Sequence, residues 1–146
     1  MTARCMAPQR RRMVMAGLLA ALASPLALGQ DPRAALVQQA ARDWLAINDK
    51  GDFASSWRAA GARFRASLDE ARWSAAAQKE RTPLGAAKER TVASTVFTRK
   101  VQGAPEGDYA QVNFRTVFET RVGGAEQVTL ERESDGAWRV VGYVIL

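Results

Sequence analysis

YAQVNFRTVFETR, residues 109–121, puts Ala110, Val112, Phe114, Thr116 and Phe118 on one side of an extended chain. Gln111, Asn113, Arg115 and Glu119 fall on the other. Alternation at period two over this length predicts a β-strand with one face buried and one in water. Downstream, Gly123-Gly124 reads as a hairpin turn, and Val128, Leu130 and Arg132 then alternate with Gln127, Thr129 and Glu131. Asp135-Gly136 is a tight-hairpin dipeptide. Beyond it, Trp138, Val140, Gly142 and Val144 share one face of a last strand, with Val141, Tyr143 and Ile145 on the other. Upstream, Gly103 to Asp108 is turn chemistry, and Thr91 to Lys100, rich in Val, Thr and Phe, reads as a first strand. Short connections between four consecutive strands predict an antiparallel meander.

Before Gly85 the period is 3.6. Asp31 and Pro32 suit a helix cap and first turn, and Val37, Ala40, Ala41, Trp44 and Ile47 or Asn48 then mark one helical face, widened by Leu36 and Leu45. Gly51 stops that helix. Asp52 opens a second with Phe53, Trp57 and Ala60, which ends at Gly61. Ser67 and Glu70 have the spacing of a capping box for a third, running through Trp73, Ala76 and Ala77 to about Arg81, where Pro83 follows. Three helices followed by four strands give an α+β domain, because the half-apolar sheet must bury one face and only the helices can cover it.

The first 29 residues have a different character. Arg4, Arg10, Arg11 and Arg12 precede the uncharged run MVMAGLLAALASPLAL, residues 13–28, and Ala27-Leu28-Gly29 offers small residues for a cut. This is the pattern of a cleaved signal peptide. The run of 16 residues is short of the roughly 20 that span a membrane, so no stable membrane insertion is expected after cleavage. Residues 30–146 then form a single α+β domain in the periplasm or outside the cell. Arginines 10–12 also loosely resemble a twin-arginine signal, which leaves that route open beside the general secretory one.

Setting those residues aside changes the composition. The whole chain carries +6, but four of its 21 basic residues lie in the leader, so 17 basic and 15 acidic residues remain. A nucleic-acid partner is therefore not expected. All four Met and the single Cys, Cys5, lie in the leader, and the chain has no His. Disulfides, thiolate and imidazole catalysis, and the usual Cys or His metal sites are excluded from the domain, leaving Asp, Glu, Lys and Tyr for acid–base work. No cofactor and no metal site is expected.

Among polar clusters, Asp49 and Asp52 flank Gly51 with the look of a calcium loop, but the further oxygen ligands such a loop needs are missing, and helix capping accounts for both. Glu131, Glu133 and Asp135 read as a solvated charged edge. Arg115 and Tyr143 interrupt otherwise apolar strand regions, with Arg115 expected at the surface. No acidic residue is expected on an apolar strand face.

AARDWLAINDKGDFASSW (40–57), AGARFRASLDEARW (60–73), RTPLGAAKERTV (81–92), GAPEGDYAQVNFRTVFE (103–119) and DGAWRVVGYVI (135–145) together resemble the bacterial "domain of unknown function 4019" family. The resemblance implies a nuclear-transport-factor-2-like, or cystatin-like, cone in which a curved sheet wraps against helices. It also implies export, and it supplies no activity. In such a cone the candidate ligand-binding residues are Trp57, Phe114, Thr116, Trp138 and Tyr143, although the tryptophans also fit core packing. Two functions stay open. One is a non-catalytic binding or interaction module for an envelope protein or a small apolar ligand. The other is a small cofactor-independent enzyme using an Asp, Glu or Tyr in the pocket. A hollow of roughly 300 Å³ or more with convergent polar groups would favour ligand binding. A buried carboxyl or phenol with a shifted pKa is what an enzyme would need.

Overall fold

Asp31 opens the first helix much as its sequence suggests: its carboxylate accepts the Arg33 N–H at 2.9 Å and its carbonyl the Ala34 N–H at 2.8 Å. The computed structural model describes residues 31–146, so the export segment read at 1–29 lies outside the described residues. The elements run α1 (Arg33–Asp49), α2 (Phe53–Ala59), α3 (Ala62–Ser67), α4 (Glu70–Arg81), a 3₁₀ turn (Thr82–Leu84), β1 (Ala87–Thr98), β2 (Tyr109–Phe118), β3 (Gly124–Arg132) and β4 (Trp138–Ile145). The sheet order is β1-β2-β3-β4, each pair antiparallel. None of the helices described is long and apolar enough to cross a membrane.

The helical half differs from expectation in one element. Gly51, at φ +74°, closes α1 with its N–H on Asn48 O at 2.9 Å, and Asp52 caps α2 by accepting the Ser55 N–H at 3.1 Å. Ser67 does not cap the next long helix. It ends the added short helix α3, its hydroxyl donating to Phe64 O at 2.7 Å, and Asp69 caps α4 by accepting the Arg72 N–H at 2.8 Å. The corner between α2 and α3 is tied to the sheet by the Gly61 N–H on Val140 O at 2.8 Å. A Cβ at Gly61 would lie 2.9 Å from Glu133 Oε1 and 3.2 Å from that carbonyl, so a larger residue would have to move the Glu133 side chain and ease the corner off the sheet by a few tenths of an ångström.

Val37, Ala41, Trp44 and Leu45 of α1, with Phe64, Trp73 and Ala77, meet Ala110, Val112, Phe114, Val128, Leu130 and Val140 of the sheet in one core. Leu36, in contrast, is 63 % exposed, so the α1 stripe is narrower than its sequence suggests. Trp44 and Trp73 pack at 5.6 Å, and both indole N–H groups reach Ser56: Trp44 its carbonyl at 2.9 Å, Trp73 its hydroxyl at 2.8 Å.

The inward face of β2 is the apolar one, as its alternation predicts. β4 departs from simple alternation. A register shift between Thr129 and Leu130 leaves Val141 unopposed, since Thr129 pairs with Gly142 and Leu130 with Val140. Such a bulge reverses parity. Val140 is therefore buried, and Tyr143 also turns inward against Trp44 at 5.3 Å, although the sequence placed them on opposite faces.

Candidate functional site

Glu126 lies two residues before Val128 and four before Leu130 on β3, so strand parity drives its carboxylate into the core. Arg81 ends α4, four residues after Ala77 and eight after Trp73, which puts it on the buried face of that helix. Asp49 ends α1, Arg90 stands on β1, Thr116 on β2 and Tyr143 on β4. Six elements thus deliver one polar side chain each to the same place.

Their geometry forms a closed ring of charge. Glu126 Oε1 accepts Arg90 Nε at 2.8 Å and Thr116 Oγ1 at 2.5 Å. Its Oε2 accepts Arg81 Nη1 at 3.3 Å and the Tyr143 hydroxyl. Asp49 Oδ1 accepts from Arg81 Nη2 and from Arg90 Nη2 at 3.0 Å, and Oδ2 accepts Arg90 Nη1 at 2.8 Å. Arg81 Nη1 also donates to Tyr143 Oη at 3.1 Å, and its guanidinium sits 5.4 Å over the Phe118 ring. The Glu126 side chain is fully buried, Arg81 is 5 % exposed and Asp49 27 %. Two carboxylates and two guanidiniums cancel, the condition under which buried charges are tolerable.

Burial alone would depress both guanidiniums. For Arg90 the hydrogen bonds to Asp49 and Glu126 outweigh it, and for Arg81 the Tyr143 oxygen and Asp49 do, so both are held firmly charged. Burial would likewise raise Asp49, but hydrogen bonds from Arg90 and Arg81 hold its carboxyl below the ordinary value. The Tyr143 phenol is pushed far up, first by burial and then by the adjacent Glu126, with Arg81 only partly opposing. The cluster therefore contains a phenol locked in its neutral form and a carboxylate with a donor at each of its four acceptor positions.

Two hollows flank this cluster, and Arg81 borders both. The larger, a cleft of about 510 Å³, is lined among others by Asn48, Asp49, Asp52, Phe53, Ser74 and Gln78. The smaller, about 270 Å³, lies between α4 and the end of β4 against Trp73, Ala77, Tyr143 and Val144. Asn48, at the end of α1, donates from Nδ2 to Trp44 O at 3.0 Å, while its buried Oδ1 has no partner among the described residues.

The five candidate residues do not converge. Thr116 and Tyr143 belong to the cluster, and Phe114 is the cross-strand partner of Glu126, with the Arg42 guanidinium 5.4 Å over its ring. Trp57 instead joins α2 to the turn before α4, its indole donating to Leu68 O at 2.8 Å. Trp138 pairs with Arg132, six residues along β3 from Glu126, and packs edge-on to Phe97 at 6.0 Å. Neither borders the larger cleft or the smaller one.

Three expectations are corrected. An acidic residue, Glu126, does lie on an apolar strand face, made possible by its two arginines. Asp49 is no cap but half of a buried ion-pair ring, whereas Asp52 is a cap. Glu131, Glu133 and Asp135 are paired rather than freely solvated: Arg63 grips Glu131 at 2.9 and 3.0 Å, and Arg139 contacts both Glu133 and Asp135. Hydrogen bonds from Arg139 and the Ala137 N–H draw Asp135 down to about 2. Arg115 is exposed.

The profile of the family described as "Protein of unknown function (DUF4019)" matches residues 40–143, and the chain belongs to that family. No curated protein matches the chain. Among solved structures, Aln2 from a Streptomyces species is similar in fold, with a TM-score of 0.53 and 17 % identity over 80 % of this chain and 91 % of that one. The fold is the α+β, nuclear-transport-factor-2-like arrangement of helices followed by a four-stranded antiparallel sheet.

Proposed function

We propose that this DUF4019 chain is exported through its amino-terminal segment and that its folded part is a non-catalytic binding module, with the cleft between α1, α2 and α4 as its site. The observation that carries the reading is the occupancy of Glu126. An acid–base catalyst needs a lone pair or proton within reach of substrate. Glu126 has a donor on every acceptor position, and the Tyr143 proton is already given to it. The cluster is therefore a support that fixes the ends of α1 and α4 against the sheet. The cleft these ends border has the size of a small-molecule site, and Phe53 and Ala54 stand beside Asp49, Asp52, Gln78 and Arg81 in its lining, which suits a ligand with both apolar and polar parts. Export rests on the four leader arginines, the apolar run to Leu28 and the small residues before Gln30.

The test expresses the tagged full chain in a bacterium and releases it by osmotic shock. Native mass spectrometry is expected to find a chain lacking its first 29 residues with a small molecule bound non-covalently. That molecule should be absent from an Ala54→Trp variant, whose new ring fills the cleft. A full-length chain retained in the membrane contradicts export. Progressive consumption of a compound from a metabolite extract contradicts the non-catalytic reading.

A further inference from the structure

We propose that the free edge of β4 docks an extended peptide of a partner protein, which adds to the sheet as a further strand, turns apolar side chains towards α4 and offers a lysine or arginine to Glu80. This site is separate from the cleft between α1, α2 and α4. β4 pairs only with β3, so one of its edges has no strand beside it. Ala125 and Leu146 exchange both main-chain hydrogen bonds between β3 and β4, at 3.4 and 2.8 Å. Antiparallel bonding recurs at every second residue, so Val144 and Gly142 also face β3, whereas Tyr143 and Ile145 turn their N–H and C=O groups outwards. Val140, beyond the bulge, agrees with this parity, since its outward carbonyl accepts the Gly61 N–H at 2.8 Å. Among the described residues, nothing takes the outward main-chain groups of Tyr143 and Ile145.

The two edges of the sheet are built differently. β1 carries Lys88 and Glu89 and has register shifts at Ala87/Glu89 and Val92/Ser94, features that oppose strand addition. β4 reads VVGYVIL from Val140 to Leu146, without charge or proline, and Val144 and Leu146 are 48 % and 61 % exposed. Beside Tyr143, Val144 and Ile145 lies the hollow of about 270 Å³, with Trp73, Ala76 and Ala77 of α4 as its apolar wall. A residue laid opposite Tyr143 or Ile145 shares their side of the sheet, so its side chain points into that hollow. A space of this size takes the side chains of an extended chain rather than a folded domain. Charge complementarity selects among such chains. Arg81 at the hollow is already opposed by Asp49 and Glu126, whereas Glu80 is exposed and has no ion-pair partner among the described residues. Main-chain bonds supply affinity in this mode, and the side chains that meet the hollow and Glu80 supply selectivity.

The probes are the capped peptide KTVTVTK, the same peptide N-methylated at both valines, and ETVTVTE, each titrated into the folded protein and followed by ¹H–¹⁵N NMR. KTVTVTK is expected to bind saturably, with its largest shifts at the Tyr143 and Ile145 amides. Its affinity should exceed that of the N-methylated form at least about tenfold, because two ladder donors are then missing. ETVTVTE should bind about two- to fivefold more weakly than KTVTVTK, and Glu80→Lys should reverse that order. Ile145→Pro removes an outward N–H that β3 does not use, so the strand persists while KTVTVTK weakens at least about fivefold. Equal affinity for the N-methylated peptide, or shifts confined to other residues, overturns the inference. So does a lack of saturable binding by KTVTVTK up to about 5 mM. An order of affinity that Glu80→Lys leaves unchanged overturns the basic side chain. A dimer in sedimentation that Ile145→Pro dissolves gives the edge to a second copy and overturns the peptide as its occupant.

Discussion

Tyr143 on β4 donates its phenolic proton to Glu126 on β3, and in the same place accepts a hydrogen bond from Arg81 at the end of α4. One hydroxyl thus links sheet and helix through a carboxylate buried in the core. The strand bulge at Val141 makes this possible, because without it Tyr143 would face away from Glu126.

Glu126→Gln keeps the shape of the side chain but removes its charge, leaving Arg81 and Arg90 to share Asp49. Removing one member of a buried ion-pair set costs about 3–5 kcal/mol. Urea unfolding is expected to show a loss in that range. Replacing Asp49, Arg81, Arg90 and Glu126 together by apolar residues should cost much less than the single change, because no charge is then stranded. A single variant as stable as wild type would remove Glu126 from its supporting role.

Both tyrosines of the chain, Tyr109 and Tyr143, are raised above the ordinary phenol value, in each case by burial first and then by a neighbouring glutamate. The folded protein therefore holds protons that the unfolded chain releases above about pH 10, and stability falls as pH rises past that point. Ultraviolet titration is expected to show no phenolate step at pH 10 while the protein stays folded. Tyr143→Phe should flatten the alkaline loss of stability.

Asp49 gives the opposite sign at the acid end. Its carboxyl is lowered from 3.8, since the hydrogen bonds from Arg90 and Arg81 exceed the effect of burial. Its contribution is complete above the unfolded value and is lost as pH falls through the lowered folded one. Asp49→Asn should therefore be less stable at neutral pH and less sensitive to acid below about pH 4. Identical acid profiles for variant and wild type would contradict the ring geometry.

Much of the fold was legible because apolar alternation and turn residues agree. β2 begins at Tyr109 and β4 spans Trp138 to Ile145, as their patterns indicate. The cluster was hidden by the same rules. Apolar alternation starts β1 at Thr91 and β3 at Gln127, yet they begin at Ala87 and Gly124, and the omitted turns contain Arg90 and Glu126. Neither charge belongs to an apolar pattern of its own, because its partner lies 36 residues away. Parity was the available signal: Glu126 matches Val128 and Leu130, and Arg81 continues the Trp73–Ala77 face. Nothing local foretold the Val141 bulge, which depends on pairing with β3.

Ser56→Ala removes the hydroxyl that accepts the Trp73 indole N–H at 2.8 Å in the core. An unmet buried donor costs about 1–3 kcal/mol. Denaturation should show a lower midpoint in that range with an unchanged slope, and altered tryptophan fluorescence in the folded state. An unchanged midpoint would mean that the Ser56 bridge contributes nothing.

The division of labour between a supporting cluster and a binding cleft is tested most directly by comparing Glu126→Gln with Ala54→Trp, measuring unfolding free energy and the small molecule that co-purifies by native mass spectrometry. The expected result is a loss of about 3–5 kcal/mol for Glu126→Gln with the molecule still bound to the folded fraction, and near-wild-type stability for Ala54→Trp with the molecule gone. A molecule that stays bound to Ala54→Trp, or a Glu126→Gln protein as stable as wild type, would contradict it.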